Sequence, residues 1–158
     1  MQDHFLNIVL YQPEIPYNTG NIGRLCVGLN SKLHLIEPLG FKITDKMLKR
    51  AGLDYWDKLD YEIYSSLKEF FSRNTSLNFY FASTKAERSF YKAEFRKGDY
   101  LIFGKETGGL PEEFHSVHRN KGLMIPMSDK IRSINLCNSV AVLMYEAYRQ
   151  IYGVNDKI

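Results

Sequence analysis

Cysteine is scarce in this chain: Cys26 and Cys137 are the only two, and each sits within an apolar helical pattern. That usage points to reduced core thiols rather than a disulfide or metal pair. No apolar run is long enough to cross a bilayer, and the strand within residues 1–11 is too short for the core of a signal peptide, so no membrane partner and a cytoplasmic location are expected. His4, His34, His115 and His118 show no metal spacing with cysteine or carboxylate. His115 and His118 stand one helical turn apart without a third ligand, which reads as a solvated helix face, and no metal is expected. The dinucleotide fingerprint GxGxxG is missing. Gly104 and Gly109 have the spacing of a phosphate loop, but Leu110 and Pro111 stand where that loop needs Lys and Ser or Thr. Linkers of low complexity and internal repeats are absent too.

What remains is one ordinary domain covering residues 1–158, with 44% hydrophobic and 25% charged residues. The formal charge of +3 is mildly basic. Its cations cluster, with Lys46, Lys49, Arg50 and Lys58 in one stretch and Lys85, Arg88, Lys92, Arg96 and Lys97 in another. Tyr55, Trp56, Tyr61, Phe90 and Tyr91 are interleaved with them, a pattern that suits phosphate contacts with base stacking. A solvated face with lysine stems lying over aromatic rings explains the same letters.

Strand-like apolar runs occur at Phe5–Tyr11, Leu33–Glu37, Asn78–Ser83, Tyr100–Gly104 and Leu123–Pro126, and helical patterns at Gly20–Leu29, Asp45–Ala51, Ser65–Arg73, Pro111–His118 and Asn135–Tyr152. This alternation predicts an α/β domain with a parallel sheet flanked by helices on both faces. In the last helix Cys137, Val140, Ala141, Met144, Ala147, Tyr148 and Ile151 form one apolar stripe, which Leu136, Val142 and Leu143 widen. So broad a stripe needs cover on a second side. A homodimer interface through this C-terminal helix supplies it, as would a central position in a monomer.

Three clusters of polar residues and glycine each follow a predicted strand. In PEIPYNTGNIGR (13–24), Asn18 or Thr19 can cap the next helix, while Arg24, a cation near a helix N-terminus, is better explained by an anionic partner such as phosphate. In YLIFGKETGGLP (100–111), a strand breaks at Gly104 into a turn carrying Glu106, Gly108 and Gly109, which suits close backbone approach to a ligand. In IPMSDKIRSINLCNS (125–139), Pro126 takes the chain out of the sheet, and Ser133 is the expected cap of the last helix, with Arg132, Asn135 and Asn138 beside it.

Taken together, NTGNIGR, FGKETGGLP and IPM…RSINLCNSVAVLMYEAYRQ resemble the three signature motifs of the SPOUT (SpoU/TrmH-type) RNA 2′-O-ribose methyltransferases, over nearly the whole chain. NIVLYQPEIPYNTGNIGRLC, LHLIEPLGF and KRAGLDYW resemble its TrmL subgroup, the tRNA (cytidine/uridine-2′-O)-methyltransferases of the anticodon wobble position. The resemblance implies an α/β fold with a C-terminal trefoil knot, a homodimer, and the tRNA anticodon stem-loop as partner. It implies S-adenosyl-L-methionine as methyl donor, S-adenosyl-L-homocysteine as product, and no metal. The wobble nucleotide would be of the cytidine or carboxymethylaminomethyluridine type.

Carried over by motif, the cofactor residues are Ala82, Ser83, Thr84, Gly104, Glu106, Thr107, Gly109, Ile125, Met127, Ser133 and Leu136. The catalytic residues are Arg24, Asn18, Glu106 and Asn135. Asn18 would position Arg24 or the ribose, and Glu106 and Asn135 would orient polar groups around the cofactor or the arginine. Arg24 is the family's candidate general base. A guanidinium stays protonated in proteins, so stabilising the oxyanion and binding the adjacent phosphate is an alternative role. Gly108 stands where many members carry arginine or lysine, and Gly23 where a larger apolar residue is common. Two other readings compete: a SPOUT enzyme for another tRNA position or ribosomal RNA, and a catalytically silent RNA-binding dimer.

Overall fold

The computed structural model describes residues 3–44, 46, 50 and 55–154. Its single sheet contains β1 (Asn7–Tyr11), β2 (Lys32–Ile36), β3 (Tyr61–Tyr64), β4 (Phe79–Ala82), β5 (Tyr100–Phe103) and β6 (Gly122–Leu123). All pairings are parallel, in the order β3-β2-β1-β5-β4-β6. The helices are α1 (Pro16–Gly28), α2 (Leu67–Arg73), α3 (Glu112–Val117) and α4 (Leu136–Tyr152). The helix expected at Asp45–Ala51 lies outside the described residues except for 46 and 50.

Side chains alternate across a strand, and the two faces of this sheet divide accordingly. Ile8, Leu10, Leu33, Leu35, Leu101 and Phe103 face α1 and α4, joining Ile22, Cys26, Val140, Leu143 and Met144 in one core. Val9, Ile36, Phe81 and Ile102 face the other way, onto Phe70 of α2 and Phe114 of α3. Central strands of a parallel sheet are covered on both sides, which is why β1 and β5 read as unbroken apolar runs. Edge strand β3 has the sequence YEIY and is half exposed, so it carries no such run and was not expected.

Several expectations change in three dimensions. The stripe on α4 is largely absorbed by the chain's own core, where Val140, Leu143, Met144 and Ala147 have no exposed surface. A narrower face remains in the open, with Asn138, Val142, Tyr145 and Arg149 at helical spacing. His115 and His118 do not form a solvated face: His118 lies 4.6 Å from the ring centroid of Phe114, and His115 meets the edge of Phe81. Tyr55 and Phe90 are buried and Trp56 packs on Tyr61, so Tyr91 alone of the interleaved aromatics is well exposed. Trp56 also explains Gly23, because a Cβ there would sit 3.1 Å from the indole and 3.0 Å from Leu59. Both cysteines are free thiols, and burial raises that of Cys26.

One buried polar group stands out in the core. His34 of β2 places Nε2 3.1 Å from Asn7 Oδ1 and Nδ1 3.0 Å from the Tyr64 hydroxyl. Asn7 donates its amide to Gly98 O, so its oxygen faces the histidine and Nε2 carries the proton. Burial pushes the His34 pKa down to about 3.

Candidate active site

A parallel sheet exposes its strands' carboxyl ends at one edge, and ligands of such folds settle there, where strand order reverses. In this chain β4, β5 and β6 end side by side, and the loops that leave them enclose a cavity of about 490 Å3. Residues 82–85 form one wall, 103–110 a second, and 125, 127 and 132–136 a third, with Ile15, Asn18, His115 and Ser139 completing it. Apolar Phe103, Leu110, Ile125, Met127 and Leu136 alternate with polar backbone and side-chain groups, the composition of a small-molecule site.

Every residue expected at the cofactor lines this cavity: Ala82, Ser83, Thr84, Gly104, Glu106, Thr107, Gly109, Ile125, Met127, Ser133 and Leu136. Asn18 and Asn135 line it too. Arg24 does not. It lies six residues beyond Asn18 on α1, hence about 120° around the helix and about 9 Å along it. Its exposed guanidinium sits over the ring of Tyr55, 5.9 Å from the centroid, and the Tyr55 hydroxyl in turn donates to Gly20 O.

Helix α1 starts at Pro16, four residues earlier than its apolar pattern suggests, with Pro at the first position and no side-chain cap. Asn18 and Thr19 are therefore buried helix residues, not caps. Arg24 falls in the third turn, beyond the reach of the N-terminal dipole, so the dipole gives no reason to expect an anion beside it. Asn18 instead donates to Glu106 Oε1 at 3.2 Å and accepts from Asn135 Nδ2 at 3.1 Å. Glu106 also accepts from the backbone N–H of Glu14 at 2.8 Å and of Ile15 at 3.1 Å, which places a carboxylate at the positive end of α1. Of the two roles expected of Glu106, towards the cofactor or towards Arg24, its hydrogen bonds match neither directly; they run to Asn18 and to the backbone of Glu14 and Ile15.

Ser133 is not the cap of α4. Asn135 holds that position and accepts from the N–H groups of Cys137 and Asn138, leaving Ser133 exposed on the cavity wall. Gly104 is needed inside its own loop: a Cβ would stand 2.4 Å from Gly109 Cα and from Leu110 N. Gly109 has φ +65°, the left-handed region that favours glycine. Gly108 leaves room for the stem of Lys105, whose Cε would lie 3.0 Å from a Cβ there.

Sequence reasoning passed over Lys85, Lys105 and Glu14 as site residues. Lys105 and Arg132 both line the cavity and have no carboxylate within ion-pair distance among the described residues, whereas Lys85 pairs with Glu112 at 2.5 Å. Glu14 accepts from Thr107 N and Oγ1, each at 2.9 Å. Its carboxyl is held below the usual carboxylate range by the Thr107 N–H first and the Thr107 hydroxyl second. Among the described residues no cluster of three histidine, cysteine or carboxylate side chains is placed to hold a metal, and no helix is long and apolar enough to cross a membrane.

Comparison with known proteins adds four findings. Residues 5–145 match the model of the SpoU rRNA Methylase family. A Listeria innocua protein provisionally named tRNA (cytidine(34)-2′-O)-methyltransferase is 54% identical over 148 residues, 91% of this chain and 87% of its own. A solved structure described as giving insights into the 2-OH methylation of C/U34 on tRNA is 48% identical, with a TM-score of 0.88 over 94% of this chain and 97% of that one. The SpoU methyltransferase AviRb of Streptomyces viridochromogenes, solved with its cofactor AdoMet, shares the fold at 21% identity, with a TM-score of 0.80 over 95% of this chain and 59% of its own.

Proposed function

The chain belongs to the SpoU rRNA Methylase family, and from that membership we propose that it methylates the ribose 2′-hydroxyl of the wobble nucleotide, position 34, in the tRNA anticodon loop. It is a methyltransferase, with S-adenosylmethionine as donor and S-adenosylhomocysteine as product. The nucleotide is cytidine or a carboxymethylaminomethyluridine, the partner is the anticodon stem-loop, and the work is cytoplasmic. The observation that carries this reading is convergence: residues from three motifs far apart in sequence line a single cavity at the strand ends.

The cavity fits the donor. Its volume suits a nucleoside carrying an amino-acid chain, its apolar residues can sandwich a purine, and its turns offer backbone donors and acceptors. When bound, S-adenosylmethionine supplies a methyl group activated by a sulfonium.

The chain's own residues then have these tasks. The turn at Gly104–Gly109 and the segment from Ile125 to Leu136 would hold the donor, which would supply the methyl group. Asn18, tied to Glu106 and Asn135, presents a fixed polar edge to the incoming ribose, so little reorganisation remains for the reaction itself. Lys105 and Arg132, which have no carboxylate partner among the described residues, favour the RNA backbone. Arg24 stabilises the developing 2′-oxyanion and binds the neighbouring phosphate. Because it lies outside its own chain's cavity, it serves the cavity of a second copy.

A homodimer follows from this assignment. Its interface includes the exposed face of α4, which carries Val142 and Tyr145. A C-terminal trefoil knot is proposed as well. In its support, the segment after β6 is gripped by the 88–90 loop, with Met124 N donating to Arg88 O and Phe90 N donating to Met124 O. The chain then crosses the cavity before α4 returns to bond residues 93 and 95 through Gln150.

The test is to map 2′-O-methyl groups on tRNA from cells with and without the gene. Loss confined to position 34 supports the proposal. Loss at another tRNA position or in ribosomal RNA favours the sister-enzyme reading, and no loss favours the silent RNA-binding dimer.

A further inference from the structure

Strands β1 and β5 are neighbours in the sheet, so the loops leaving their carboxyl ends run side by side. They are joined by a reciprocal pair of contacts. The backbone N–H of Glu14 donates to the Glu106 carboxylate at 2.8 Å, and the backbone N–H of Thr107 donates to the Glu14 carboxylate at 2.9 Å. The Thr107 hydroxyl donates to the same carboxylate. Each loop thus supplies a carboxylate to the other's main chain.

The Glu14 side of this clasp is fixed from behind. Gly40 N donates to Pro13 O at 2.9 Å, and a Cβ at Gly40 would stand 2.7 Å from Glu14 Cα. Glu14 therefore sits on a packed support, while its side chain holds the tip of the turn, where Thr107, Gly108 and Gly109 are exposed. Thr107 lines the cavity, and both of its donors are engaged by Glu14, so it has no hydrogen left for a ligand.

We propose that Glu14 is a positioning residue for the methyl donor: its carboxylate sets the conformation of the 105–109 turn through Thr107 and registers that turn against Asn18 at the start of α1. The proposal rests on reading the cavity as the donor pocket. It makes the turn's shape depend on a residue that touches neither donor nor RNA. Charged hydrogen bonds to backbone are among the stronger ones, and here they act on Thr107 at the exposed tip of the turn, the part that the Glu106 contacts and the Gly104–Gly109 packing do not reach.

The test is calorimetric titration of S-adenosylhomocysteine into the full chain, alongside steady-state transfer to tRNA. Glu14→Ala is expected to raise Kd for S-adenosylhomocysteine by roughly 10- to 100-fold and to lower kcat, with affinity for tRNA unchanged. Glu14→Gln keeps one carbonyl acceptor and should recover most of that loss. A structural role alone would lower the melting temperature and leave the folded protein's affinity intact. Wild-type Kd and kcat in folded Glu14→Ala overturn the proposal. If that variant does not fold, Thr107→Val decides: it keeps the N–H contact, loses the hydroxyl, and should weaken S-adenosylhomocysteine by several-fold, wild-type binding being the contrary result. Wild-type protein that binds no S-adenosylhomocysteine would overturn the reading of the cavity itself, and the role of Glu14 with it.

Discussion

Asn135 Nδ2 donates to Asn18 Oδ1 across 3.1 Å, joining residues separated by 117 positions in sequence. The contact ties the cap of α4 to the first turns of α1, so that both helices begin at the mouth of one cavity. With Glu106 on the other side of Asn18, the cap of α4, helix α1 and the turn after β5 share one hydrogen-bonded line. The proposed acceptor side and donor side of the reaction are thereby held in register.

Arg24 is exposed and lies outside the cavity, so its replacement should leave fold and donor binding alone. Arg24→Ala is expected to lower methyl transfer by roughly a hundredfold or more while S-adenosylhomocysteine binds as in wild type. Mixing Arg24→Ala with a variant blocked in the cavity should restore part of the activity in mixed dimers. Wild-type turnover by Arg24→Ala would remove its proposed role, and failure of the mixture to recover would remove service across the dimer.

Gly104 and Gly108 should respond differently to the same methyl group. Gly104→Ala drives a Cβ into the backbone of Gly109 and Leu110, and is expected to cost about 1–3 kcal/mol and to abolish donor binding. Gly108→Ala meets the flexible stem of Lys105, which can move aside, so its melting temperature should stay within a few degrees of wild type. Thermal melts with and without S-adenosylhomocysteine check both.

The α4 faces separate a dimer effect from a folding effect. Tyr145 is 56% exposed and Met144 is fully buried, one residue apart. Tyr145→Glu is expected to yield a folded monomer by sedimentation velocity, whereas Met144→Asp should unfold the chain by circular dichroism. A Tyr145→Glu protein that still sediments as a dimer would move the interface elsewhere.

His34 should make the protein acid-sensitive over a defined window. Its pKa is near 6.5 when unfolded and about 3 in the fold, so the unfolded chain binds the extra proton between those values. Stability from this group is complete above pH 6.5 and declines as the pH falls towards 3, by on the order of 2 kcal/mol near pH 4.5. Glu62, Lys32 and His4 lie close enough to act on it, and Tyr64 contacts it directly. Urea unfolding of wild type and His34→Gln at pH 7 and 4.5 checks the sign: the variant should be less stable at pH 7 but lose less on acidification.

The sequence was most legible where chemistry follows a strand directly. Gly104–Gly109 and Ile125–Leu136 leave β5 and β6 within a few residues, so local pattern was enough to place them at one sheet edge. Arg24 was not legible in this way, because its distance from the cavity depends on where α1 begins, and Pro16 started the helix without a capping side chain. Glu14 was missed because its partner is 93 residues away, and only the pairing of β1 with β5 brings Thr107 to it. Val140 and Met144 belong to the chain's own core, although their spacing alone suits an interface equally well. Hydrophobic period specifies which face is buried, not by what.

The most direct measurement is transfer of labelled methyl from S-adenosylmethionine to a tRNA anticodon stem-loop by the purified protein, comparing a 2′-hydroxyl with a 2′-deoxy sugar at position 34 alone. The account predicts label in the first substrate, mapped to the ribose of nucleotide 34, and none in the second. Equal labelling of both, or label on a base or at another position, would contradict it.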